Sequence, residues 1–138
     1  MRLFTVASVL VLMFSPIALA QSTVSVIWNS DYDTSSTGMN TTTCATVLDQ
    51  SYPTFGAVPT FPYLTGASFV TDSNTTGCGT CWSLVSDVGR TTVVVINGAA
   101  DGFVITEEAA NDLTDHHQFL WYTVQANATQ LDASVCGL

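Results

Sequence analysis

The stretch Gly77-Cys78-Gly79-Thr80-Cys81-Trp82 holds two of the four cysteines, one of three tryptophans and the start of an apolar run. The other two cysteines lie far off, Cys44 upstream and Cys136 near the C-terminus, so any pairing ties both ends of the chain to this middle. A thioredoxin-type redox pair needs a low-pKa thiolate, usually set at a helix N-terminus. Here Trp82-Ser83-Leu84-Val85-Ser86 follows instead, and it alternates like a strand. A zinc site needs four ligands at matched spacing, yet there is no second CxxC and the only histidines are the adjacent pair His116-His117. Structural disulfides are the reading that remains, and spacing alone leaves all three connectivities of four cysteines open.

Working outward, residues 82–86, 87–90 and 91–96 read as strand, tight turn and strand, the best hairpin signal in the chain. Val93-Val94-Val95-Ile96 is continuously apolar, which predicts a strand buried on both faces. A tight polar connection follows over 97–103. Residues 106–113 form the one good helix candidate, with Thr106 as its cap and Glu107 and Glu108 in the first turn. A strong strand is expected over 119–125. Upstream, 24–28 reads as a first strand, 34–43 as a Ser/Thr/Gly/Asn loop with no core, and 44–48 as a short strand or a turn of helix. Pro53, Pro59 and Pro62 alternate with Phe55, Phe61 and Tyr63, which favours an irregular loop over 52–66 pinned by its aromatics. Another strand is expected over 67–70.

The first twenty residues have the form of a secretory leader. Arg2 is the charged start, residues 3–14 are apolar, and Ala18-Leu19-Ala20 is a small-residue cleavage site. The apolar segment is too short to span a membrane. The expected organisation is therefore a leader over 1–20 and one domain over 21–138. That domain carries one cation, Arg90, against all eleven acids, a formal charge of about −10. Such a balance lacks the basic footprint for nucleic acid or anionic lipid and suits neutral, hydroxyl-rich partners. Sequons mark Asn40, Asn74 and Asn127 as candidate glycan sites. No cofactor or metal is implied, and His116-His117 reads as a solvated turn at the helix end.

Several motifs then occur in order: Thr23-Val24-Ser25-Val26, Phe55-Gly56 with Pro59 and Phe61-Pro62, the cysteine block, Ala99-Ala100-Asp101-Gly102-Phe103, Ala110-Asn111 with Leu113-Thr114, and the ending Cys136-Gly137-Leu138. Together they resemble the cerato-platanins, a family of small secreted fungal proteins, over essentially all of 22–138. The resemblance implies a mainly β fold, a six-stranded double-psi β-barrel with one or two short helices. It also implies two sequential disulfides, Cys44–Cys78 and Cys81–Cys136, and an extracellular or cell-wall location. Activities implied are binding of chitin or cellulose oligomers, expansin-like loosening without hydrolysis, and recognition by host immune cells as an elicitor or immunomodulator.

Two positions depart from the family pattern. Ile27-Trp28-Asn29 stands where the family has Ser-Tyr-Asp, and Ile96-Asn97 where it has Ile-Asp; Tyr32-Asp33 matches the family's second Tyr-Asp. A glycosidase needs two carboxylates about 5–9.5 Å apart, one of them protonated, and an amide cannot exchange that proton. Asn29 and Asn97 therefore argue against hydrolysis and for a non-enzymatic role. The expected ligand-binding set is Asp101, Asn97, Asp33, Trp28, Tyr32 and Asn29. Trp28, Tyr32 and Tyr122 are candidates to stack on sugar rings, while Trp82 beside a cysteine reads as packing.

Overall fold

The run Val93-Val94-Val95-Ile96 is buried throughout, as its unbroken apolar character requires. In the computed structural model, which describes residues 21–117 and 123–138, this run forms the centre of β4 (Arg90–Gly98). One face of β4 meets the barrel interior. Helix α2 (Glu107–Leu113) and the 3-10 turn Ala133–Cys136 also pack against β4. The hairpin partner is β3 (Cys81–Val85), antiparallel from Cys81 opposite Val94 to Val85 opposite Arg90. Ser86 builds the turn: its Oγ accepts from the Val88 and Gly89 amides and donates to the Leu113 carbonyl, which ties the hairpin to the end of α2.

Six strands close into a barrel in the order β1-β5-β2-β4-β3-β6, where β1 is Gln21–Trp28, β2 Leu64–Ala67, β5 Phe103–Ile105 and β6 Val124–Leu131. The pairs β1–β5 and β2–β4 are parallel and the other four antiparallel. This is the double-psi β-barrel with two helices, the shorter being α1 (Ala45–Leu48). Disulfides join Cys44 to Cys78 and Cys81 to Cys136, the sequential pairing. All four cysteines are buried, so the bonds are part of the core as well as its braces.

Five expectations change. The strand placed at 67–70 starts earlier, at Leu64, because all four residues of β2 are buried between β4 and β5. The irregular loop accordingly ends before Leu64, and it contains a cis Phe61–Pro62 bond. The polar loop 34–43 does reach the core: Met39 is fully buried on the 3-10 turn Met39–Thr41. The last described strand, Val124–Leu131, overlaps the expected 119–125 at 124–125 and continues past it, since small inward residues, Ala126 and Ala128, form its buried face. Residues 118–122, including Tyr122, and the expected leader 1–20 lie outside the described residues. Finally, β5 emerges as a separate strand from what read as connection and helix approach. Three residues are too few to show a period.

Candidate functional site

Immediately after β1 the chain is turned by a single side chain. The Asn29 amide N–H donates to the Ile105 carbonyl at 3.0 Å, while its Oδ1 accepts from the Asp31 amide at 2.9 Å. That Asx turn caps the 3-10 turn Ser30–Tyr32. It sets Tyr32 inward: the residue is buried, with its ring edge-on to Phe55 at 6.0 Å. The hydroxyl rests over Gly66 of β2, where a Cβ would come within 2.7 Å of it, so this position admits only glycine without a shift.

Asn97, near the end of β4, meets that hydroxyl. Its Nδ2 donates to Tyr32 Oη at 3.2 Å and its Oδ1 accepts from the Thr43 amide at 2.9 Å. One amide thus joins β4, the turn after β1 and the loop leading into Cys44. Burial holds the Tyr32 phenol above its ordinary pKa; the Asn97 bond pulls it down and the charge of Asp31 pushes it up. Asp33 serves the opposite end of β5. Its Oδ1 accepts from the Glu107 amide at 3.0 Å, capping α2 from a distance of 74 residues in sequence. The sequence expectation gave that cap to Thr106. Thr106 does occupy the N-cap position, but its hydroxyl donates to the Pro62 carbonyl. The second oxygen of Asp33 is buried without a hydrogen-bond partner among the described residues.

Asp101 is placed differently. It is exposed on the connection 99–102 that crosses the end of β2. Three anchors hold this connection: the Ala99 amide donates to Ala67 O at 3.2 Å, the Ser68 amide donates to Gly102 O at 2.9 Å, and Gly102 sits against β1. Gly102 has φ +49, and a Cβ there would lie 1.8 Å from the Ser25 carbonyl oxygen, so no other residue fits. The fold therefore joins Asn97 to Tyr32 directly and sets Asn29 and Asp33 on either side of Tyr32 in the chain. No hydrogen bond connects Asp101 to Asn97, Tyr32 or Asp33 among the described residues. Asp101 precedes β5, whereas Asp33 bonds Glu107 beyond its other end, so the two carboxylates serve opposite ends of that strand. Trp28 is half-buried on the same side of β1 as Val26 and lines a small apolar cavity with Ile105, Ala110 and Leu113, toward α2.

Sequence reasoning also missed a surface. Phe69, exposed after β2, lies against Trp82, with 5.2 Å between ring centroids. Phe69 stands between Ser68 and the buried Val70 in the run expected to be a strand, and nothing local in the sequence marks it as exposed. His117 lies past the end of α2, a ring nitrogen 3.2 Å from the Thr114 carbonyl.

A closed six-stranded barrel with two parallel pairs, a part-buried Tyr–Asn link and two sequential disulfides defines a small disulfide-braced double-psi domain. The Cerato-platanin family model matches residues 24–138, and the chain belongs to that family. Allergen Asp f 15 of Aspergillus fumigatus is 33% identical over 116 residues, covering 82% of this chain and 76% of that protein. Among solved structures, cerato-platanin 2 from M. perniciosa superposes with a TM-score of 0.80 at 32% identity, covering 85% of this chain and all of that one. A mutant Clavibacter michiganensis expansin solved with cellohexaose has a TM-score of 0.58 at 15% identity, a likeness of fold alone. This chain covers 82% of itself and 51% of the expansin in that match.

Proposed function

We propose that the protein is exported after removal of residues 1–20 and binds cell-wall polysaccharide of the chitin or cellulose type, loosening it without hydrolysis. The observation that carries this reading is Asp101, an exposed carboxylate on a connection anchored at three points. Residues on such a connection stay exposed while fixed in position. A carboxylate there accepts hydrogen bonds from sugar hydroxyls, and a neutral glycan, unlike an anionic one, meets no repulsion from the chain's eleven acids. Asn97 and Tyr32, the latter set by the Asn29 turn, brace the end of β4 that leads into this connection, while Asp33 and Trp28 lie toward α2 instead. The expansin of like fold was solved with a cello-oligosaccharide, which is in keeping with a glucan ligand. The amides at Asn29 and Asn97 support non-hydrolytic action, as does the bond from Asp33 to the start of α2.

Each exposed hydrogen bond contributes about 0.5–1.5 kcal/mol, so binding is expected in the micromolar to millimolar range. Titration with chitotetraose and cellohexaose tests it. Asp101→Ala should weaken binding several-fold at unchanged melting temperature; equal affinity in a folded variant rejects the role. Steady release of reducing ends, abolished by Asp101→Asn, would reject the non-hydrolytic reading.

A second reading is recognition by host immune cells, favoured by the relative named an allergen. An Asp101→Ala protein with weakened polysaccharide binding but unchanged stimulation of immune cells would show that recognition does not depend on the glycan face.

A further inference from the structure

Phe69 is 38% exposed, and its ring packs on Trp82 (5.2 Å, 37°) and edge-on to Phe103 (5.9 Å, 73°). Trp82 is fixed in turn by Phe103 and by its Nε1–H, which donates to Thr80 Oγ1 at 2.8 Å. The two rings floor a groove of about 260 Å³ with Asn74, Thr76, Gly77 and Gln130 on its walls. That is just below the ~300–1,000 Å³ of ordinary small-ligand sites, room for one sugar rather than an oligomer. One edge of the Phe69 ring covers Gly77, where a Cβ would come within 2.4 Å of it.

Asn74 on the rim begins the sequon Asn74-Thr75-Thr76. Its backbone is pinned by reciprocal bonds with Thr71, at 3.0 and 3.1 Å. Its Oδ1 accepts from both the Thr76 amide, at 3.2 Å, and the Thr76 hydroxyl, at 2.7 Å. Both bonds engage the oxygen and leave Nδ2 outside them. Asn127, by contrast, stands within β6 with its Oδ1 bonded to Thr23 Oγ1, and Asn40 sits on the 3-10 turn Met39–Thr41. The aromatic groove singles out Asn74.

We propose that Asn74 carries an N-linked glycan whose first N-acetylglucosamine lays its apolar ring face on Phe69 and Trp82. This rests on the export reading, because the donor is a lipid-pyrophosphate-linked oligosaccharide of the secretory pathway. In the transfer, Asn74 Nδ2 bonds to the anomeric carbon, the carbon–oxygen bond to pyrophosphate breaks, Nδ2 loses one proton, and the lipid pyrophosphate leaves. Covalent attachment then holds the sugar at high effective concentration over the rings. Its apolar face removes aromatic surface from water, and its hydroxyls remain on the polar rim at Thr76 and Gln130.

The full chain, expressed in a fungal host and collected from the medium, tests this. Enzymatic deglycosylation in heavy-oxygen water should convert position 74 to labelled aspartate. Protein trimmed to a single sugar should melt about 3–6 °C above Asn74→Gln. That gain should shrink by half or more in Phe69→Leu, which keeps the bulk needed for folding but removes one of the two rings. Secreted protein with a bare Asn74 overturns the glycan while leaving export standing; protein retained in the cell with a bare Asn74 overturns both. An equal gain in the Phe69→Leu background overturns the stacking. A bare Asn74 with chitotetraose binding lost in Phe69→Leu would make the groove a polysaccharide subsite and likewise overturn the proposal.

Discussion

Asn97 performs two bonds of opposite polarity with one side chain, accepting from the Thr43 amide and donating to the Tyr32 hydroxyl. Alanine would leave both partners unsatisfied in a part-buried setting, at a cost of about 1–3 kcal/mol in denaturant unfolding. Asn97→Asp should lose less at pH 7, since a carboxylate accepts from both groups once the phenol reverses its role and donates. Tyr32 adds an alkaline limit. Burial, the largest influence, raises its folded pKa above the ordinary 10. Stabilisation from the neutral phenol is therefore complete below pH 10 and disappears as pH rises through the folded value. The urea midpoint should fall on moving above pH 10, and Tyr32→Phe should flatten that decline; an unaltered decline would contradict the assignment.

At the scale of elements, α2 depends on a residue outside its own segment. Asp33 caps it from the far side of β2 in sequence, and the acid end of the helix dipole argument applies to this carboxylate as well. Asp33→Ala should cost about 1 kcal/mol and Asp33→Asn much less, because an amide oxygen still accepts from Glu107. The β4–β5 connection is less forgiving. Gly102→Ala sets a methyl 1.8 Å from the Ser25 carbonyl oxygen, which neither backbone can evade without breaking the β1–β5 pairing. A loss of about 3 kcal/mol or more is expected by thermal melting. The variant would also lose the rigid mount for Asp101, so its glycan binding should fall with its stability.

For the whole molecule, the disulfides close loops of 34 and 55 residues in sequence separation. Chain entropy assigns about 4 kcal/mol to each as an upper figure. A domain of this size has only about 5–15 kcal/mol in total. Reduction of both bonds should therefore lower the melting temperature by tens of degrees or abolish folding at 37 °C, measured by circular dichroism with and without reductant. Closing the barrel through β6 and β1 brings the first and last described strands together, and Cys81–Cys136 ties the C-terminal turn to β3 beside them.

Where the chemistry is local, the sequence by itself was enough. Four consecutive apolar residues predicted the doubly buried β4, Asp87-Val88-Gly89 predicted the hairpin, and Glu107-Glu108 predicted the helix start. The cysteine block with Cys136-Gly137-Leu138 carried the family resemblance and, through it, the barrel and the disulfide pairing. Tertiary structure alone decided the remainder. Met39 is core because its polar surroundings fold over it, and β5 is a strand only because β1 and β2 pair with its three residues. Asp33 reached Glu107 and Asn97 reached Tyr32 across 74 and 65 positions of sequence. A hydrogen bond leaves no periodic trace in either partner's neighbourhood, so which polar residue braces the barrel and which stays exposed, as Asp101 does, is set by the closing of the sheet.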